Sequence, residues 1–591
     1  MTVDPQQTLL ASLRELLHRS ASPRTWWQLY LLLDRADEEG HPLEVALDYA
    51  HQHLTTWPDP LRLGLGSWVE RLFEDPQALP HPAWPLVRRL DLAGKVHTPS
   101  RLQALARSPH LNHITHLSLS YNGLRDDAIA HMLTASSLGA LRHLDLSHNR
   151  LGPRGIRVLS GWPGLAELDT LRLRGNPIQD SGLDPLVRSP AVAGLQTLSL
   201  GSTSLGPDGL LNLTRSPWLS CLADLDWSDN GLDASSLSAL MRSQPLEGLT
   251  RLNLSSTTMR PDLLDLMVRA PRLLSIDTLR LARCQLDPES IDRLAHAPTT
   301  RGMVHLDLSR NPLGRAGAAC LATAPWPNLN RLDLIDSQLD DDALAQLHRA
   351  PWLPRLTHLS LRSNDTLTHR GLAALFQTPT PHLLELDLTH NRLLGPGCGH
   401  ILGHTAHTPA LRMLNLSSTQ LGADELQALL SSPNVTHLNT LLLSNNPLGP
   451  SGAQLLLGQT QLATLTHLNL SGCSLGPAGA RTLARIRHWP RLDTLSLESN
   501  GIDLEGLHAL LQAPWLRHLS YLALAGNAFG KQGALALTRS ARLDNLMGMT
   551  FFGRGIDQST ADRVAQAPNL RRLEASDARL RALPAGPSGH Y

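Results

Sequence analysis

The chain has 591 residues, 42% hydrophobic but only 4% aromatic, with 52 Lys and Arg balanced by 52 Asp and Glu. A formal charge of zero argues against general gripping of phosphate backbones, which needs a basic excess. The five cysteines (Cys221, Cys284, Cys320, Cys398 and Cys473) are scattered without a Cys-x-x-Cys pair, so neither a disulfide framework nor a zinc site is indicated.

Residues 1–86 read as a helical region. Apolar positions recur at helical spacing over Leu9–His18, Trp26–Glu39, Leu43–His53 and Trp68–Phe73, separated by proline-rich breaks. Trp26, Trp27, Trp57, Trp68 and Trp84 concentrate here, and the expectation is a helical cap whose tryptophans cover the first repeat. Asp4, Arg14 and Glu15 interrupt any apolar leader, and no later stretch is long enough to span a bilayer. A cytoplasmic location without membrane contact follows as the expectation. Basic residues other than Lys95 and Lys531 are all Arg or His, and with abundant Ala, Pro and Leu this suggests a GC-rich, bacterial genome.

From Val87 one phrase returns: Leu-x-x-Leu-x-Leu-x-x-Asn-x-Leu. It reads LRHLDLSHNRL at Leu141–Leu151, LDTLRLRGNPI at Leu168–Ile178 and LTHLNLSGCSL at Leu465–Leu475. The first Leu of its inner pair runs from Leu90 and Leu117 to Leu495 and Leu522 at a spacing of 27 residues, with slips of one. Fixed self-similarity of this kind marks a solenoid. Leu-x-Leu alternates with period two and predicts a short strand with leucines inward. The residue at the Asn position that follows sits where the chain turns under the sheet, and its amide can satisfy backbone groups there. That residue is Asn122, Asn149, Asn176, Asn230, Asn311, Asn364, Asn391, Asn446, Asn500 and Asn527, with Thr203, Thr257, Cys284, Ser337, Thr419 and Cys473 as replacements.

Turns such as Leu151–Gly155 and Leu205–Gly209 (Leu-Gly-Pro-x-Gly) then start a helix, with Ile156, Leu159 and later Leu165 inward. Ser108-Pro109, Ser216-Pro217, Ala350-Pro351 and Ala513-Pro514 are expected to end such helices. Parallel strands stack about 4.8 Å apart, whereas helices need about 10 Å each. The predicted fold is therefore an α/β solenoid, a right-handed horseshoe with a parallel sheet of about seventeen to nineteen strands on its concave side and helices on its convex side. The array spans 87–530. After Phe529 the pattern decays: Gly548 takes a strand leucine position in Leu543–Phe551, and Leu570–Leu580 carries Ala575 and Ala578. Residues 531–583 read as degenerate capping repeats and 584–591 as a disordered tail.

Over Val87–Phe529 these motifs resemble the ribonuclease-inhibitor-like leucine-rich repeats, including partial alternation of Asn with Thr or Cys types (Asn176, Thr203, Asn230, Thr257). The chain departs in its near-constant repeat length. In the N-terminal region, LLDRADEEGHPLEVA at Leu32–Ala46 resembles the small helical domain that accompanies repeats in some GC-rich bacteria, with Arg35 where that domain has Trp. The resemblance implies protein binding and names no partner.

No catalytic constellation, cofactor loop or metal-ligand set stands out. Asp145–Arg172 and Arg280–Asp307 are expected to pair along the ladder on the concave face. His116, His143, His305, His358 and His467 recur before the inner leucine, and His148 lies near the first two, without a carboxylate or thiolate to complete a metal site. Charge is densest around Arg280, Arg283, Arg310, Arg331, Asp333, Asp336, Arg362, Glu385, Asp387 and His390, whereas later repeats present Asn415, Ser417, Ser444 and Asn469. A mixed, arginine-rich surface suits steering toward a folded protein partner. The leading expectation is a non-enzymatic scaffold, inhibitor or sensor subunit. A GTPase activator of the Ran type and a translocated bacterial effector are the alternatives.

Overall fold

The computed structural model describes residues 5–133, 136–244, 246–404, 408–553, 555–565, 567 and 570. They form two compact units, one of 1–257 with 270–276 and one of 258–269 with 277–591.

The first unit begins with four helices, Pro5–Leu17 (α1), Pro23–Glu38 (α2), Glu44–Leu54 (α3) and Gly66–Glu74 (α4). Their core is aromatic. Trp27 stacks on Tyr30 at 5.0 Å, Tyr30 meets Trp68 at 4.6 Å, and Trp68 lies parallel to the buried His81 ring at 4.0 Å. The Trp68 indole donates to Asp34 Oδ1 at 2.9 Å. Burial pushes the His81 imidazole down to about 4. Between α3 and α4 the chain runs alongside the first repeat. Leu63 bridges Arg89 in parallel, Gly64 N–H donates to Arg89 O at 2.8 Å, and Arg89 N–H donates to Arg62 O at 3.0 Å. The edge of the strand Arg89–Asp91 is thereby occupied by backbone instead of left open to another chain.

Seven three-residue strands follow in this unit, Arg89–Asp91 to Arg251–Asn253, each paired in parallel with the next. The second unit holds eleven, Thr278–Arg280 to Gly548–Thr550, paired in the same way. That makes eighteen strands among the described residues. The register places inner leucine on inner leucine, as in Leu306↔Leu332↔Leu359, and absorbs spacings of 26 and 28 residues (Leu306↔Leu332, Leu386↔Leu414) without a slip. Within each unit the strands line one side and the helices the other.

Asn311 shows what joins one repeat to the next. Its Nδ2 donates to Leu308 O in its own repeat and to Leu281 O in the preceding one, each at 2.9 Å, and its Oδ1 accepts from Cys284 N–H and Leu286 N–H at 3.0 Å. Asn149, Asn364 and Asn446 repeat this set. Where Thr419 takes the position its hydroxyl donates to Leu416 O of its own repeat (2.7 Å) and more distantly to Asn446 Oδ1 of the next (3.4 Å), which also accepts from its N–H (3.1 Å). Cys284 and Cys473 are fully buried, as small weakly polar residues at this position should be.

The helices start where proline places them, at Pro153 and Pro207, with Gly152 and Gly206 N–H donating to Asp126 and Asp180 of the preceding helix. Helix Pro99–Arg107 ends at Ser108-Pro109 as expected, with Ser108 as its C-cap, whereas others stop earlier. Helix Asp341–Leu347 stops before Ala350-Pro351, and helix Leu504–Leu510 before Ala513-Pro514. The prolines at 109 and 514 open short 3₁₀ turns, where a missing N–H costs nothing. One inward position is also corrected: Met549, not Gly548, pairs with Leu522, so the last described strand keeps an apolar core residue. The expected repeat at Leu570–Leu580, apart from Leu570, and the tail from 584 lie outside the described residues.

Removing the Asn311 amide leaves carbonyls and N–H groups of two repeats unpaired in the core. Asn311→Ala should therefore cost about 1–3 kcal/mol, read as a lower denaturant midpoint at unchanged slope. Arg315→Ala, on the helix side with its guanidinium in an exposed ion pair to Asp342, should cost under about 1 kcal/mol.

Candidate functional site

Two rows of side chains emerge on the sheet side of each unit. The first comprises the strand residues flanking the inner leucine. These were expected to be exposed, but backbone and neighbouring side chains half-cover most of them, and Asp333 and Ser360 are buried. The second row is the residue just before the asparagine position. Its N–H donates to a carbonyl of the next repeat, as from Arg283 to Ser309 O (2.9 Å), Arg310 to Ile335 O (2.6 Å), Asp336 to Arg362 O (2.8 Å) and His390 to Ser417 O (2.9 Å). This second row lies in the left-handed region throughout: Gly94, Gly175, Gly472 and Gly526 in some repeats, but Tyr121, His148, Arg283 (φ 60°), Arg310 (φ 58°), Asp336 and His390 in others.

In the second unit the first row centres on Asp333. His305 Nε2 approaches its Oδ2 at 2.8 Å and Arg331 Nε at 3.0 Å. Burial works against ionising Asp333, but the His305 bond and the Arg331 charge outweigh it and hold the carboxyl below its ordinary range. Its register neighbour Asp307 has the opposite environment. Burial and the Asp333 charge raise its carboxyl, against hydrogen bonds from Ser309. Burial likewise raises Asp387, although Thr389 donates to it through Oγ1 (2.5 Å) and N–H (3.0 Å). His358 and Glu385 lie 3.4 Å apart. Arg280, Arg283, Arg310 and Arg362 form no ion pair among the described residues, and Arg283, Arg310 and Asp336 are exposed.

The two ladder pairs expected from the sequence are register neighbours, Asp145↔Arg172 and Arg280↔Asp307, yet neither closes into an ion pair among the described residues. Three-residue strands leave little freedom along the row, and longer reaches win. Arg174, beyond its strand, crosses to Asp226 (3.2 Å) and Ser228 (2.7 Å) two repeats away. In the same unit His116 and His143 stack at 3.9 Å, and burial with the His143 charge pushes His116 down to about 4. Tyr121, 64% exposed, stacks on His148 at 4.4 Å. The sequence placed His116 and His143 in one column with His148 near, and missed the left-handed row that holds Tyr121 and His148. Its signal was the glycine interspersed at that position. Among the described residues no group of three or more His, Cys, Asp or Glu is placed to hold a metal ion, and no helix is long and apolar enough to cross a membrane.

Eight segments, 110–130, 141–160, 168–187, 303–322, 381–398, 435–457, 461–484 and 516–537, match the family model described as Leucine Rich repeat. Those segments are leucine-rich repeats. No curated protein matches it. Among solved structures it is similar to yeast Rad7 in complex with Elc1 (18% identity, TM-score 0.39, 63% of this chain and 79% of that one). It is also similar to mouse RP105 in complex with MD-1 (19%, 0.39, 79% of each) and to an internalin of Listeria monocytogenes (18%, 0.32, 70% and 96%).

A raised carboxyl favours the protonated fold, so Asp307 contributes stability below its unfolded pKa of about 3.9 and loses it as pH rises through the higher folded value. Asp307→Asn, which mimics the protonated form, should match or exceed the parent in stability at neutral pH, and the gap should close as pH falls toward 4. Denaturant midpoints across this range test it. A gap that favours the parent at neutral pH would mean that Asp307 is instead held ionised by a partner.

Proposed function

We propose that this protein is a non-enzymatic protein-binding solenoid whose partner, a folded protein, docks on the sheet side of the second unit, over Arg280, Arg283, Arg310, Asp336, Arg362 and His390. One observation carries the reading. Arg283 and Arg310 occupy left-handed backbone at a position that sibling repeats fill with glycine or, more often, with short polar residues such as Ser202, Asp229, Ser363 and Asn445. A side chain there costs roughly 1–2 kcal/mol, and neither guanidinium is in an ion pair among the described residues. The repeats act as internal controls: the fold is satisfied at this position by glycine or a short polar side chain, so a long, exposed arginine without an ion pair answers to something outside the fold. Asp333, with Arg331 and His305, serves as a clamp within the surface, and Asp387 is half-buried. On the same reading the N-terminal helices cap the array and the protein works in a bacterial cytoplasm.

Arg283→Glu with Arg310→Glu should weaken capture of the partner from the native host, mainly through slower, salt-dependent association, while the protein stays folded. The same reversal at Arg154 and Arg315 on the helices should leave capture unchanged. Arg310→Gly separates function from stability. Relief of strain and the entropy of glycine nearly offset each other, so stability should change by less than about 1 kcal/mol while capture falls. Capture that survives the sheet-side reversal but fails with the helix-side one would remove the proposal.

A further inference from the structure

Away from the sheet, the loops that leave the helices of the second unit enclose a groove of about 920 Å³. Arg485, Arg487, Arg517 and Arg542, contributed by successive repeats, line it together with Gln512 over apolar residues such as Leu457, and no carboxylate is among the lining residues. Elsewhere in this unit arginines on the helix side end on carboxylates: Arg293 on Asp265 and Glu289, Arg315 on Asp342, Arg481 on Glu505. The four groove arginines form no ion pair among the described residues.

Local structure accounts for two of them. Arg485 follows the helix Gly476–Ala484, whose C-terminal carbonyls attract a cation. Arg542 donates to Ala513 O at 3.1 Å and braces the preceding repeat. Arg487 and Arg517 are exposed and have no such role. Next to Arg487 in the chain, His488 Nε2 and Trp489 Nε1 are buried without a hydrogen-bond partner. Like charges gathered in one groove repel each other, so a chain of zero net charge places them together at a cost that an anion would reverse.

We infer that this groove binds a compact polyanion carrying two or more phosphate groups. Guanidinium forks match phosphate oxygens with paired, charge-assisted hydrogen bonds. The volume falls in the range of small-molecule sites, roughly 300–1,000 Å³, and several positive charges in so small a space select a multiply charged ligand over a single carboxylate. The site lies apart from the sheet side and does not depend on the protein-binding reading.

The test is titration calorimetry of the full chain with inorganic tripolyphosphate, repeated for Arg487→Glu with Arg517→Glu and for Arg154→Glu. Unliganded melting of each variant confirms the fold. Binding at one site per chain is expected, weakened about tenfold or more by the double reversal and unaffected by Arg154→Glu. A second arm uses phosphatidylcholine vesicles with and without phosphatidylinositol bisphosphate. Vesicle binding that tripolyphosphate displaces identifies a lipid headgroup as the source, and tripolyphosphate binding without vesicle binding identifies a free ligand. No binding of tripolyphosphate, equal displacement by sulfate at matched ionic strength, or equal weakening by Arg154→Glu would overturn the inference.

Discussion

The buried asparagine amide is the interaction on which the rest of this structure depends. A chain that turns under a sheet every 27 residues or so buries N–H and C=O groups that neither strand nor helix can pair. One primary amide offers two donors and an acceptor with two lone pairs, and Asn311 uses all of them, on its own turn and on the preceding repeat. Leucine packing makes the repeats cohere, but it is non-directional and would tolerate sliding. The amide makes the spacing specific. Thr419 and Cys473 work because the next asparagine still binds their N–H groups.

The same geometry dictates what the surface can display. Tying the turn to the next repeat puts the residue before the asparagine in left-handed backbone, so each repeat without glycine there presents one side chain at a fixed, slightly strained place beside the sheet. The first row, between these side chains and the core, is too enclosed to be freely polar. Asp333 there is clamped by His305 and Arg331, and Asp307 and Asp387 are raised by burial. The polar face therefore has a rigid inner row and an accessible outer one, and the outer row is where Arg283, Arg310 and Asp336 stand.

The period of the inner leucines and the asparagines made the solenoid, its strands and its buried ladder legible from residues alone, because each depends on a short local pattern repeated many times. What the pattern could not carry was anything set by reach across repeats. Arg174 finds Asp226 two repeats on instead of Asp145 pairing with Arg172, and Tyr121 stacks on His148, because those contacts depend on side-chain length and turn conformation. Met549 takes the inward place expected for Gly548 because register follows the sheet and not the sequence motif where the motif decays. The arginine groove was equally hidden, since Arg487, Arg517 and Arg542 belong to different repeats and share no motif.

The central claim is that the left-handed row of the second unit is the contact surface. Site-specific photocrosslinking tests it most directly, with a photoreactive residue placed at position 336, which projects from that row, and at position 315 on the helix side. The account predicts a covalent adduct with one partner from 336 and none from 315, lost when Arg283 and Arg310 are reversed. An adduct from 315 alone, or one from 336 that persists after the reversal, would contradict it.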